Sequence, residues 1–151
     1  MLVTGVPMVT GAEKLLEIIE QVGGAVVAQE NCTGIKAVAE AVAEDGDPIE
    51  AIARKYFALA CSCMTPNNRR LELLEELIEL YKPQVVIDLV WQACHTYNVE
   101  SFLVRKHLAG RDGLSYLKIE TDYSPSDREQ IAMRVQAVLE VARSGAGMNK
   151  Q

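Results

Sequence analysis

Apolar positions along the chain change between two spacings, short runs and a three-to-four-residue recurrence. Leu2-Val3-Thr4 opens as a short apolar run, broken by Gly5, Pro7 and Gly11. Leu15, Ile18, Ile19 and Val22 then recur at helical spacing, and Gly23-Gly24 ends that helix. Residues 25–28 predict a compact buried strand. Helical stretches are expected over residues 35–43 and 48–59, separated by Asp45-Gly46-Asp47. Thr65-Pro66 reads as the N-cap and first position of a further helix. Its apolar stripe is Leu71, Leu74, Leu77, Ile78 and Tyr81, and Pro83 ends it. The run from Val85 to Trp91 is apolar almost throughout, which suits a parallel strand covered on both faces. A helix over 98–108, a turn over 110–113 and a last strand over 116–120 follow. Ser124 and Asp127 stand at capping-box spacing ahead of the stripe Ile131, Val135, Val138, Leu139 and Ala142. Residues 144–151 carry no packing signal and are expected as a disordered tail.

Strand and helix therefore alternate four times. That order predicts a three-layer α/β/α domain over residues 1–143, with a four-stranded parallel sheet, close to a flavodoxin-like or Rossmann-like half. The length of 151 residues fits one domain, and 49% hydrophobic with 24% charged residues is globular composition. No apolar run approaches the roughly 20 residues that span a bilayer. No basic region followed by an apolar core marks the N-terminus, so the expected compartment is cytoplasmic. Fifteen basic against twenty-one acidic residues give a net charge of −6 with no basic stripe, which argues against nucleic acid as a partner.

A chain of this size needs no covalent staple, so the four cysteines, Cys32, Cys61, Cys63 and Cys94, call for another reason. In a doubly wound fold, ligands gather at the carboxyl edge of the sheet. Cys32 follows the second strand and Cys94 the third. Cys63 precedes the helix that descends into the third strand, so it belongs at the same edge. Three segments far apart in sequence are expected to converge there, each near a helix N-terminus that favours anionic groups. Such thiols suit an iron–sulfur cluster, which takes cysteines from separate loops. They also suit zinc or a dithiol redox pair, although Cys61-Ser62-Cys63 is neither the CxxC of a structural zinc site nor that of a thioredoxin-like motif. Buried bystander thiols remain the plain alternative.

Other candidates surround them. His95, beside Cys94, reads as a proton donor or a hydrogen-bond partner of sulfur, or as an ordinary helix-entry histidine. Glu30 and Glu100 could handle protons or fix their loops. Asp122 sits at the carboxyl edge as a loop organiser, Trp91 packs the sheet, and His107 is a solvated charge late in its helix. A small acidic interaction or regulatory domain without catalysis is the competing class, with Asp88 and Asp122 as its acidic pocket. Against it, Asp88 falls inside a strand and no lysine follows the last strand.

Four stretches carry a resemblance: Glu30-Asn31-Cys32-Thr33-Gly34, Cys61-Ser62-Cys63-Met64-Thr65-Pro66-Asn67, Gln92-Ala93-Cys94-His95-Thr96-Tyr97-Asn98-Val99-Glu100, and Ile119-Glu120-Thr121-Asp122-Tyr123-Ser124. Together they resemble the C-terminal half of the 2-hydroxyacyl-CoA dehydratase and benzoyl-CoA reductase family, closest to its double-cubane cluster branch. The resemblance runs from about Leu2 to Ala142. It implies an oxygen-sensitive iron–sulfur cluster, of [4Fe-4S] or double-cubane type, held by Cys32, Cys94 and Cys63, with Cys61 as the alternative to Cys63. It also implies an ATP-hydrolysing activator that delivers electrons, an acyl-CoA or other small-molecule substrate, and a homo- or heterodimeric assembly. Family chains carry a further N-terminal half with more cysteine ligands, and Val3-Thr4-Gly5-Val6-Pro7 resembles the start of the second half. The chain is therefore expected to be a fragment, inactive by itself, that supplies part of a ligand set.

Overall fold

The computed structural model describes residues 1–148. Its elements are β1 (Leu2–Gly5), α1 (Lys14–Gln21), β2 (Ala28–Glu30), α2 (Pro48–Phe57), α3 (Asn68–Tyr81), β3 (Val85–Trp91), α4 (His95–Leu108), β4 (Ser115–Thr121) and α5 (Arg128–Met148). A short 3-10 turn covers Ile35–Ala37. The four strands form one sheet, all parallel, in the order β2-β1-β3-β4. This is the three-layer α/β arrangement that the alternation predicts.

The strand that is apolar on both faces explains the layering. Val85, Ile87 and Leu89 of β3 meet Val3, Ile119 and the helices α1 and α5, through Leu15, Ile18, Ile19, Ile131, Val135 and Leu139. Val86 turns the other way and, with Leu2, packs under Leu73, Leu74, Leu77 and Ile78 of α3 and Val104 and Leu108 of α4. Each layer hides its apolar stripe against one face of the sheet, the main favourable term in folding. The strand order reverses between β1 and β3, so the crevice beyond Gly5 and Trp91 is the topological switch point. Gly5 holds that junction open. Its φ is +108°, and a Cβ there would lie 2.1 Å from the Leu89 carbonyl oxygen.

Several expected boundaries move, each for a physical reason. β2 lies at Ala28–Glu30, starting three residues later than expected and running two residues past the apolar run, because the Glu30 carboxylate is paired inside the protein and can be buried in a strand. The helix expected over 35–43 is only the 3-10 turn: Lys36 is drawn into the core by Glu30, 2.5 Å away, and Val38 beyond it stays exposed. Helix α3 opens at Asn68, not at Pro66, with Asn67 at its cap position. Helix α4 opens at His95, with Cys94 as its cap residue. The capping box is not formed, since the Asp127 carboxylate is taken by Lys14 and Thr121. Helix α5 runs to Met148, so residues 144–148 of the expected tail are helical; the Ser144 hydroxyl donates to the Glu140 carbonyl, as a helix allows. The rest of that tail, 149–151, lies outside the described residues. No helix among the described residues is long and apolar enough to cross a membrane.

Candidate functional site

The carboxyl edge of the sheet gathers the cysteine-bearing segments. Cys32 stands two residues past β2 and is exposed. Cys94 stands at the mouth of α4, half-buried, after Ala93, whose φ of 66° puts a non-glycine residue in the left-handed region at the β3–α4 turn. Such strain persists only where surrounding structure enforces it. The Cys61–Cys63 loop approaches α4 from the other side. The Ser62 hydroxyl lies 3.5 Å from that of Thr96, and Thr96 lies 3.7 Å from the Cys94 sulfur.

Within the loop, the sulfurs of Cys61 and Cys63 are 3.4 Å apart without a disulfide. They are electrostatically unequal. The Cys61 thiol is held below its ordinary pKa, chiefly by the Cys63 backbone N–H and with help from the Cys63 thiol and Lys36. The Cys63 thiol is held above its ordinary value by its hydrogen bond to Cys61, by the Cys61 charge and, more weakly, by Cys32. All four cysteines are therefore free and on or near the surface at one edge. Among the described residues, no three His, Cys, Asp or Glu side chains converge tightly enough to hold a single metal ion.

Two buried donors stand beside the thiols. Asn31 Nδ2 and the Tyr97 hydroxyl are both without a hydrogen-bond partner. Burial raises the Tyr97 pKa, reinforced by Cys32 and Glu30, so the hydroxyl keeps its proton as a donor. Buried polar atoms in folded proteins are nearly always paired, so two orphan donors next to a set of thiols fit an acceptor-rich group such as bridging sulfide. The donor set, soft sulfur with nearby N–H and O–H groups, suits iron–sulfur chemistry.

Beneath the edge lies a buried ionic network. Arg70 of α3, 1% exposed, pairs with Glu30 at 3.2 Å, Glu100 at 2.6 Å and Asp88 at 3.8 Å, and its guanidinium carbon sits 5.0 Å from the centre of the Tyr97 ring. Burial opposes the Arg70 charge, but Glu30, Asp88 and Glu100 more than offset it and hold its pKa above the ordinary value. Glu30 also accepts from Thr4 and pairs with Lys36. Asp88 accepts from the Tyr116 hydroxyl at 2.9 Å, and burial pushes its carboxyl above the ordinary value against the pull of Arg70. Two cations, Arg70 and Lys36, thus face three acids, and burial favours the protonated form of Asp88 against the pull of Arg70.

The other sequence candidates fall in different places. Glu30 is fully buried and committed to this network, away from solvent. His95 is exposed in the first turn of α4, next to Cys94. Asp122 accepts from the Ser124 backbone N–H at 2.8 Å and so organises its loop. Trp91 donates to the Pro7 carbonyl and packs on Tyr123. His107 pairs with Glu75 on α3. Arg70, Lys36 and Asn67 were missed by sequence reasoning. A usable signal existed for Arg70: it stands in phase with Leu74, Leu77 and Ile78, a charge on an apolar stripe.

The fold defines a parallel α/β domain that carries free thiols at the switch point of its sheet. More particularly, the chain belongs to the 2-hydroxyglutaryl-CoA dehydratase D-component family, whose profile matches residues 1–142. It is 47% identical over 140 residues to the Escherichia coli (strain K12) protein named "Putative dehydratase subunit YjiM", a match that covers 93% of this chain. The chain spans 37% of the length of that relative.

Proposed function

We propose that the chain is the cysteine-bearing portion of an iron–sulfur dehydratase or low-potential reductase component. Cys32, Cys63 and Cys94 hold the cluster in this reading, with Cys61 as the alternative to Cys63. The observation that carries it is the gathering of three cysteine segments at one sheet edge, beside two orphan donors. A cluster of several irons spans more than one ion's ligand sphere, so it accepts thiols spread along an edge. When bound, such a cluster supplies one electron at low potential to an acyl-CoA or related small molecule. An ATP-hydrolysing activator delivers that electron, and a further half of the component, in this chain's own polypeptide or in a partner, completes the ligand set.

The chain's own residues have distinct tasks. The cysteines bind, and the Asn31 amide and Tyr97 hydroxyl, unpaired here, would donate to the sulfur of the bound group. The network around Glu30 and Arg70 fixes the loops. In this reading His95, exposed beside Cys94, passes a proton to a substrate at the crevice.

Anaerobic reconstitution with ferrous iron and sulfide, followed by desalting and iron analysis, tests the assignment. Substituting Ser at Cys32, Cys63 or Cys94 should each lower bound iron. Unchanged iron in all three variants would sink it.

A further inference from the structure

The three cysteine segments are joined through one carboxylate. Glu100 stands on α4, six residues after Cys94. Its Oε2 accepts from Arg70 Nη1 at 2.6 Å, and its Oε1 accepts from Asn67 Nδ2 at 2.7 Å. Asn67 Nδ2 also donates to the Cys61 carbonyl at 2.9 Å, which ties the Cys61–Cys63 loop to α4. Arg70 Nε reaches Glu30 Oε2 at 3.2 Å, two residues before Cys32, and Arg70 Nη2 reaches the Thr4 hydroxyl at 3.0 Å, one residue before the Gly5 junction. Every cysteine-bearing segment is thus one or two side chains from Glu100.

The local chemistry points the same way. An asparagine at a helix cap position ordinarily accepts from its own helix N–H groups. Asn67 makes no such cap bond and spends its amide on Cys61 and Glu100. A charge on the apolar stripe of α3 is costly unless it is fully paired, and Arg70 is paired on three sides. An apolar residue at position 70 would satisfy the core of α3 without joining any loops.

We propose that Asn67, Arg70 and Glu100 are positioning residues that set the spacing of the three cysteine segments before any group is bound. The inference rests on the cysteine edge being the functional site. It makes the protein, and not the iron, responsible for the geometry of the thiols.

The test measures that geometry in metal-free protein. Ser62 and Thr96, whose hydroxyl oxygens are 3.5 Å apart across the Cys61–Cys63 loop and α4, report the gap. A reporter chain carries Ser62→Cys and Thr96→Cys with the four native cysteines changed to Ser. It is equilibrated with glutathione disulfide. Two protein thiols are oxidised to one disulfide, one glutathione disulfide is reduced to two glutathiones, and the thiol protons end on glutathione. The equilibrium gives the effective concentration of one thiol at the other.

Asn67→Ala should lower that concentration about tenfold while the chain stays folded by circular dichroism, because hydrogen bonds to a charged group are lost. Arg70→Met should lower it at least as far, and Arg70→Lys should recover most of the loss. A role confined to stability would shift the unfolding midpoint and leave the folded-state value alone. If Arg70→Met does not fold, Asn67→Ala decides. An unchanged effective concentration in folded Asn67→Ala overturns the proposal. Iron binding by the native chain is measured separately, so failure of the cluster reading and failure of this inference give different results.

Discussion

A carboxyl group inside a strand that is otherwise apolar on both faces carries a consequence at the scale of one residue. Asp88 is fully buried, with a pKa pushed up from 3.8 mainly by burial. A carboxyl whose folded pKa is raised takes up a proton on folding. Its contribution is fully present below the unfolded value and is lost as pH rises through the folded value. Asp88→Asn keeps an acceptor for the Tyr116 hydroxyl and removes the titration. The variant should be within about 1 kcal/mol of the native chain in acid. It should gain on the native chain steadily as pH climbs from about 4 through the raised pKa. Urea unfolding of both proteins across that range checks the sign; a constant difference would show that folding leaves the Asp88 pKa unshifted. The same residue shows what sequence could convey. Asp88 was visible as an acid in an apolar run, but its partner was not, because Arg70, Glu30 and Glu100 are 12 to 58 positions away and only folding brings them together. The cysteines were different: their position relative to strands and helix starts fixed the edge on which they stand.

At the scale of elements, the strands and helices with strict apolar periodicity were legible. β3 runs over the expected residues, and α1 and α3 show the stripes that bury Leu15, Ile18 and Ile19 and Leu74, Leu77 and Ile78. What failed were places where a polar side chain did a buried task. Glu30 extended β2 beyond its apolar run, Lys36 replaced a helix with one 3-10 turn, and Asn67 started α3 late while reaching for Cys61. Buried polar groups are stable only with partners, and partners are a tertiary property. The junction of β1 with β3 gives a test at this scale. Gly5 combines a positive φ with a carbonyl 2.1 Å from where a Cβ would sit. Gly5→Ala should therefore destabilise the chain by about 2 kcal/mol or more, by displacing β1 from Leu89. Denaturant unfolding reads this directly, and a loss below about 0.5 kcal/mol would mean the junction is slack.

The whole molecule is a folded platform with its four free thiols toward one rim. Two cores, one on each face of a four-stranded parallel sheet, hold the domain together, and its four cysteines are free. The rim at the strand-order reversal carries the thiols, and the ionic network below it sets their spacing. The chain belongs to the 2-hydroxyglutaryl-CoA dehydratase D-component family and spans 37% of the length of a relative with which it is 47% identical. The measurement that bears most directly on this account is residue-resolved alkylation of the native chain, read by peptide mass spectrometry, before and after anaerobic reconstitution with iron and sulfide. The account predicts that Cys32, Cys63 and Cys94 label without unfolding in the metal-free protein and become protected together on reconstitution. Equal labelling of all three in the presence and absence of iron and sulfide would contradict it.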